Sequence, residues 1–153
     1  VSSHTETRIL PYPAELMFDV VADVERYPEF LPWCTGLRVL SRTKEGEADV
    51  LIAEMLVGYR ALRERYTSRV VLDRKNLSID VAQTKGPFAR LGNHWQFVRK
   101  EGGCEVTFRI DFEFKNRMLN MVAGQAFEHV LFKMADAFET RAKALLHHPE
   151  QQV

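Results

Sequence analysis

The chain has 153 residues, enough for one domain whose apolar core stands without a disulfide or a structural metal. Its 21 Lys and Arg balance 21 Asp and Glu, and a zero net charge argues against a general nucleic-acid binder, and against DNA as a partner, because non-specific affinity grows with the number of phosphates neutralised. A local basic patch stays compatible with that sum. Cys34 and Cys104 belong to no paired motif and read as partly buried thiols of a reducing compartment. No signal-type apolar segment opens the chain and no apolar run reaches spanning length, so a cytoplasmic location is expected, with contact at a membrane surface left open.

In chain order, a first strand is expected over residues 6–10. Pro11 and Pro13 end it, since proline lacks the donor a ladder needs. Pro13 suits a first helical turn, Glu15 favours the positive end of the dipole, and Leu16, Met17, Val20 and Val21 form one apolar stripe. A second short helix is predicted from about Val24, ending near Pro28 or Phe30. Strands follow over 38–43, 48–57 and 62–72, with Gly46 in the first hairpin turn. Leu77, Ile79 and Val81 mark one face of another strand.

The strand over 90–100 sets Trp95 and Phe97 on one side, with Trp95 expected against the last helix and its indole N–H in need of an acceptor. Next, Cys104, Val106, Phe108, Ile110, Phe112 and Phe114 alternate with Glu105, Thr107, Arg109, Asp111 and Glu113. That period of two predicts a strand with one face buried and one wet. From 119 to 146 the period becomes helical, and Pro149 ends the pattern. One domain over 1–148 with a flexible tail at 149–153 is the expected organisation.

One strand, two short helices, six strands and one long helix make an α+β class: an antiparallel meander whose apolar face is covered by the last helix. A curved sheet is expected to be too broad for a helix about 10 Å wide to seal, leaving an apolar cavity; complete side-chain packing is the alternative. Candidate lining residues are Glu54, in phase with Val50 and Ile52, together with Tyr66, Trp95, Ala123, Phe127 and Val130. The segment with Pro28, Phe30, Leu31, Pro32 and Trp33 is either a buried plug or a rigid apolar lip at a cavity mouth. Gly86-Pro87-Phe88-Ala89-Arg90-Leu91 either just turns between strands or sets Phe88 and Leu91 beside an opening.

Arg60, Arg63, Arg65 and Arg69 form a basic group, the last three on one strand face. They read as a surface ion-pair lattice or as a partner site for phosphate, from RNA backbone or lipid headgroup. The five histidines lack ligand spacing, no serine sits in a nucleophile elbow and no phosphate loop follows a strand, so no catalytic residue, metal ligand or cofactor is assigned.

Three groups of residues carry a resemblance that spans about Thr5 to Leu146: Tyr27-Pro28-x-Phe30-Leu31-Pro32-Trp33-Cys34; Gly86-Pro87-Phe88 with Leu91 and Trp95-x-Phe97; and Phe112-x-Phe114. The chain resembles the bacterial ubiquinone-binding START-domain family of the polyketide cyclase/dehydrase-like superfamily, which includes ribosome-association toxins of the RatA type. The resemblance implies a helix-grip, START/Bet v 1-like fold, with a seven-stranded sheet around a long carboxy-terminal helix. It implies a hydrophobic tunnel for ubiquinone or a related polyprenyl lipid, with Pro28, Phe30, Leu31, Pro32 and Trp33 at the entrance. It further implies non-catalytic support of respiratory electron transport, peripheral to the inner membrane, or inhibition of ribosomal subunit association through the large subunit.

Overall fold

The alternation from Cys104 to Phe114 is the clearest in the chain, and all six of its apolar residues are buried. A computed structural model describes residues 2–59, 62–122 and 124–147. In it that segment lies in β7 (Gly103–Phe114), paired on one side with β1 (Ser2–Leu10) and on the other with β6 (Phe88–Lys100). Beyond β6 come β5 (Ser78–Lys85), β4 (Leu62–Asp73), β3 (Ala48–Tyr59) and β2 (Cys34–Glu45). Every pairing is antiparallel, in the order β1-β7-β6-β5-β4-β3-β2.

This corrects the expected sheet curved around one helix. The ladder is an open seven-stranded sheet with β1 and β2 as its two edges, not a surface wrapped on a gripped helix. Local alternation specifies which face of each strand is apolar. It does not specify how the outer strands dispose of their free edges.

The short helices after β1 are an α-helix, α1 (Ala14–Ala22), and a 3-10 helix (Val24–Glu29) that contains Pro28. On α1, Met17, Phe18, Val20 and Val21 are buried. The long helix expected over 119–146 is instead α2 (Arg117–Val122), α3 (Gly124–Phe132) and α4 (Met134–His147). At the break before α4 the Lys133 N–H donates to the Val130 carbonyl at 3.2 Å, a tighter turn than an α-helix makes. The chain is thereby redirected, with α3 against β7 and α4 against α1, a division one straight helix does not achieve. The tail expected at 149–153 lies outside the described residues.

Between the layers lies an aromatic seam. The Trp95 ring is 4.3 Å from Phe108 and is met edge-on by Phe138 of α4 at 5.1 Å. Phe138 also meets Tyr27 at 5.2 Å and Phe30 at 5.3 Å, so one side chain joins sheet, helix and the 27–34 segment. Leu77 adopts a φ of 50°, rare for a residue with a branched side chain, yet it is buried and its carbonyl accepts the Phe97 N–H at 2.9 Å. Truncating the wholly buried Phe138 to Ala is expected to cost about 3–5 kcal/mol, read as a lowered midpoint in urea unfolding followed by circular dichroism.

Candidate functional site

Between the covered face of the sheet and the helices is a cavity of about 50 Å³. The inward phases of β3, β4 and β6 supply Met55, Tyr66, Ser68 and Trp95; the 27–34 segment supplies Tyr27 and Trp33, and Leu131 and Met134 close it from α3 and α4. Its described lining carries no charged side chain. Ligand pockets run from about 300 Å³ upward, whereas this void matches roughly one or two water molecules. The tunnel expected from a sheet too broad to seal is therefore not preformed. Large rings from both layers, Trp95, Phe97, Phe108 and Phe138 among them, fill most of the gap.

Of the residues singled out in the sequence, Trp33, Tyr66, Leu91 and Trp95 come together on this cavity. The Trp95 indole N–H donates to Asn93 Oδ1 at 3.1 Å, which supplies the acceptor its burial demands. In the 27–34 segment, Leu31 and Trp33 are buried and Pro28 and Pro32 face solvent, so the segment is a plug. Phe30 is half-buried, with the Arg141 guanidinium 5.2 Å from its ring centre. Phe88 sits behind the wall, edge-on to Tyr66 at 5.6 Å and stacked on Phe114 at 4.7 Å. Gly86, just before it, approaches so closely that a Cβ there would stand 2.5 Å from the Tyr66 Cβ, which explains the glycine of that motif. Val130 is half-buried against the core but outside the lining.

The expectation for Glu54 is corrected. It lies on the opposite face from Ala53 and Met55, which line the cavity, and it pairs with Arg38 at 3.4 Å across β2 and β3. Both Val50 and Leu51 are buried, so β3 is apolar on both faces at this end and its inward phase is ambiguous in the sequence. Arg60, Ala123 and the side chain of Phe127 lie outside the described residues. Sequence reasoning missed Tyr27, Ser68 and the helix residues Leu131 and Met134. Ser68 was within reach, since it shares the inward phase of Tyr66 and Val70 on β4.

The hydrogen bonding of the cavity is uneven. The Tyr27 hydroxyl donates to the Val21 carbonyl, and burial raises both Tyr27 and Tyr66 above the ordinary phenol range, so both stay neutral donors. The Tyr66 hydroxyl donates to Met55 Sδ at 3.0 Å, a weak acceptor. Ser68 Oγ is buried without a partner among the described residues. Burial pushes the Cys34 thiol up to about 11 and raises Cys104, which keeps both protonated at neutral pH. Charged groups stand at the β1 end of the covered face, where Arg8 meets Asp136 and Glu139 of α4, and on the other face of the sheet. Arg63 and Arg65 are exposed there, Arg69 pairs with Glu45, and His94 meets Asp80 at 2.6 Å.

An antiparallel sheet with helices over one face and a small uncharged cavity between the layers makes this an α+β fold. The chain belongs to the family described as polyketide cyclase / dehydrase and lipid transport, which matches residues 10–139. It is 37% identical to the ribosome association toxin RatA of Pseudomonas aeruginosa over 147 residues, covering 95% of this chain and 99% of the relative. It is 34% identical over 143 residues to the mitochondrial coenzyme Q-binding protein COQ10 homolog B of Xenopus laevis, covering 91% of this chain and 57% of that one. Among solved structures, that of an 18 kDa protein from Caulobacter crescentus superimposes with a TM-score of 0.77 at 36% identity, covering 96% of this chain and 99% of that one. The family description covers both enzymes and lipid transport.

Two measurements check this description of the site. Ser68→Ala removes an unpaired buried hydroxyl and is expected to stabilise the protein by about 1 kcal/mol in urea unfolding. Cys34 and Cys104 are expected to react with a thiol reagent such as Ellman's at pH 8 only after denaturant is added, because both are buried.

Proposed function

We propose that this chain acts by binding the ribosome, on the large subunit, as a ribosome-association protein of the RatA type. The observation that carries the reading is the 37% identity to RatA with both chains matched over nearly their whole length. The outer face of β4 supports it with Arg63 and Arg65 exposed, and guanidinium groups on one strand face suit phosphate oxygens despite a neutral total. In sedimentation with purified large subunits, replacing Arg63, Arg65 and Arg69 together by Glu is expected to weaken binding at least about tenfold. Unchanged sedimentation would move the contact elsewhere and overturn this site.

A second reading, binding of ubiquinone or a related polyprenyl lipid in support of respiratory electron transport, is favoured by the cavity and by the coenzyme Q-binding relative. Apolar area removed from water would drive it at about 25 cal/mol per Å². With only about 50 Å³ open, a quinone requires the walls to part. Among the described residues no helix is long and apolar enough to cross a membrane. Native mass spectrometry of protein purified from its own host is expected to show a co-purifying quinone or lipid; consistently empty protein counts against this second reading.

A further inference from the structure

We infer that Ser68 anchors a neutral, largely apolar ligand by one hydrogen-bond-accepting oxygen of the carbonyl class, with Tyr66 as the second donor. This rests on the apolar-ligand reading above and names the chemistry of its polar contact.

Ser68 is 5% exposed and lines the cavity, and its buried hydroxyl has no partner among the described residues. Such a group forfeits its hydration without recompense, and the large majority of buried polar atoms in folded proteins are partnered. The surroundings explain why the protein leaves it open. Its neighbour on β3 is Ala53, which has no polar atom in its side chain. Its neighbour on β5 is Gln83, whose amide is committed at both ends: Nε2 donates to the Phe88 carbonyl at 2.8 Å and Oε1 accepts the Phe88 N–H at 3.1 Å. Neither neighbouring side chain pairs with Ser68.

Two residues along the same face, Tyr66 holds its hydroxyl on the Met55 sulfur. Sulfur is a weak acceptor, so an incoming oxygen competes for that proton by a rotation of the hydroxyl. Two hydroxyl donors on one wall therefore face a space whose described lining is uncharged, and in which the Tyr27 hydroxyl and the Asn93 amide oxygen are already engaged by the Val21 carbonyl and the Trp95 indole N–H. An ionic ligand would meet no compensating charge there, which selects neutral molecules. Met55 and Met134, both on the lining, are unbranched and adaptable, and their side chains are the ones able to yield as the cavity enlarges.

A matched pair of probes tests the inference: 1-indanone, and indane, which has CH2 where indanone has the carbonyl. The chain has 2 tryptophans, and both line the cavity, so their indole N–H signals in proton–nitrogen NMR spectra report occupancy directly. In Ser68→Ala the affinity for 1-indanone is expected to fall about tenfold relative to that for indane, the value of one hydrogen bond. Ser68→Thr, which keeps the hydroxyl, is expected to restore the preference, and Tyr66→Phe to lower it by a smaller factor. Equal changes for the two probes in Ser68→Ala, or none, would overturn the anchor while leaving the cavity a binding site. If neither compound shifts either indole signal in the unmodified protein, the apolar-ligand reading itself fails and the anchor with it.

Discussion

The contact on which the architecture depends is Phe138 against Trp95. An antiparallel sheet with one apolar face is stable only when that face is covered, and here the cover must reach a ring at the middle of β6. Phe138, wholly buried on α4, does so edge-on, and the same ring touches Tyr27 and Phe30 of the segment before β2. Sheet, carboxy-terminal helix and amino-terminal plug thus share one aromatic cluster. Edge-to-face geometry suits such a junction, since it sets the positive rim of one ring on the negative face of the next.

The cluster also determines the size of the cavity. Rings packed at interior density leave voids where their shapes fail to interlock, and the remaining volume of about 50 Å³ is of that kind. What distinguishes it from an ordinary packing defect is the polar content of one wall. A void lined by hydrocarbon alone stays dry and costs little in hydrogen bonding. Ser68 and Tyr66 place two hydroxyls there, one unpartnered and one on a sulfur, so the packed state leaves hydrogen-bonding capacity unused. In the proposed ligand-bound state, exchanging that arrangement for a better acceptor would be the physical basis for distinguishing one apolar molecule from another.

The described lining of the cavity is uncharged, and the ion pairs of the sheet stand away from it. On the outer face the neutral total resolves into local pairs, among them Arg38 with Glu54, His94 with Asp80, and Arg109 with Asp111. Such exposed pairs contribute little stability, and their main effect is to leave a surface of mixed sign. Against that background the exposed Arg63 and Arg65 are a local feature of β4, and they lie across the sheet from the cavity. A phosphate-bearing partner and an apolar ligand would therefore occupy opposite faces of one sheet, without competing for the same side chains.

Much of this was written in local pattern. A side chain alternates across a strand because successive Cβ atoms point to opposite faces, so the buried row of β7, the inward Trp95 and the outward Arg63 and Arg65 follow from the sequence by itself. The need of Trp95 for an acceptor was equally local, and Asn93, two residues away, meets it. Where both faces of a strand are apolar, as at Val50 and Leu51, the same rule loses its sign, and Glu54 fell on the wrong side. The open edges at β1 and β2, the turn at Lys133 that divides the last helix, and the near-closure of the cavity were decided only by the tertiary structure. Each depends on how side chains far apart in the chain fill a common volume, and no period within one segment carries that information.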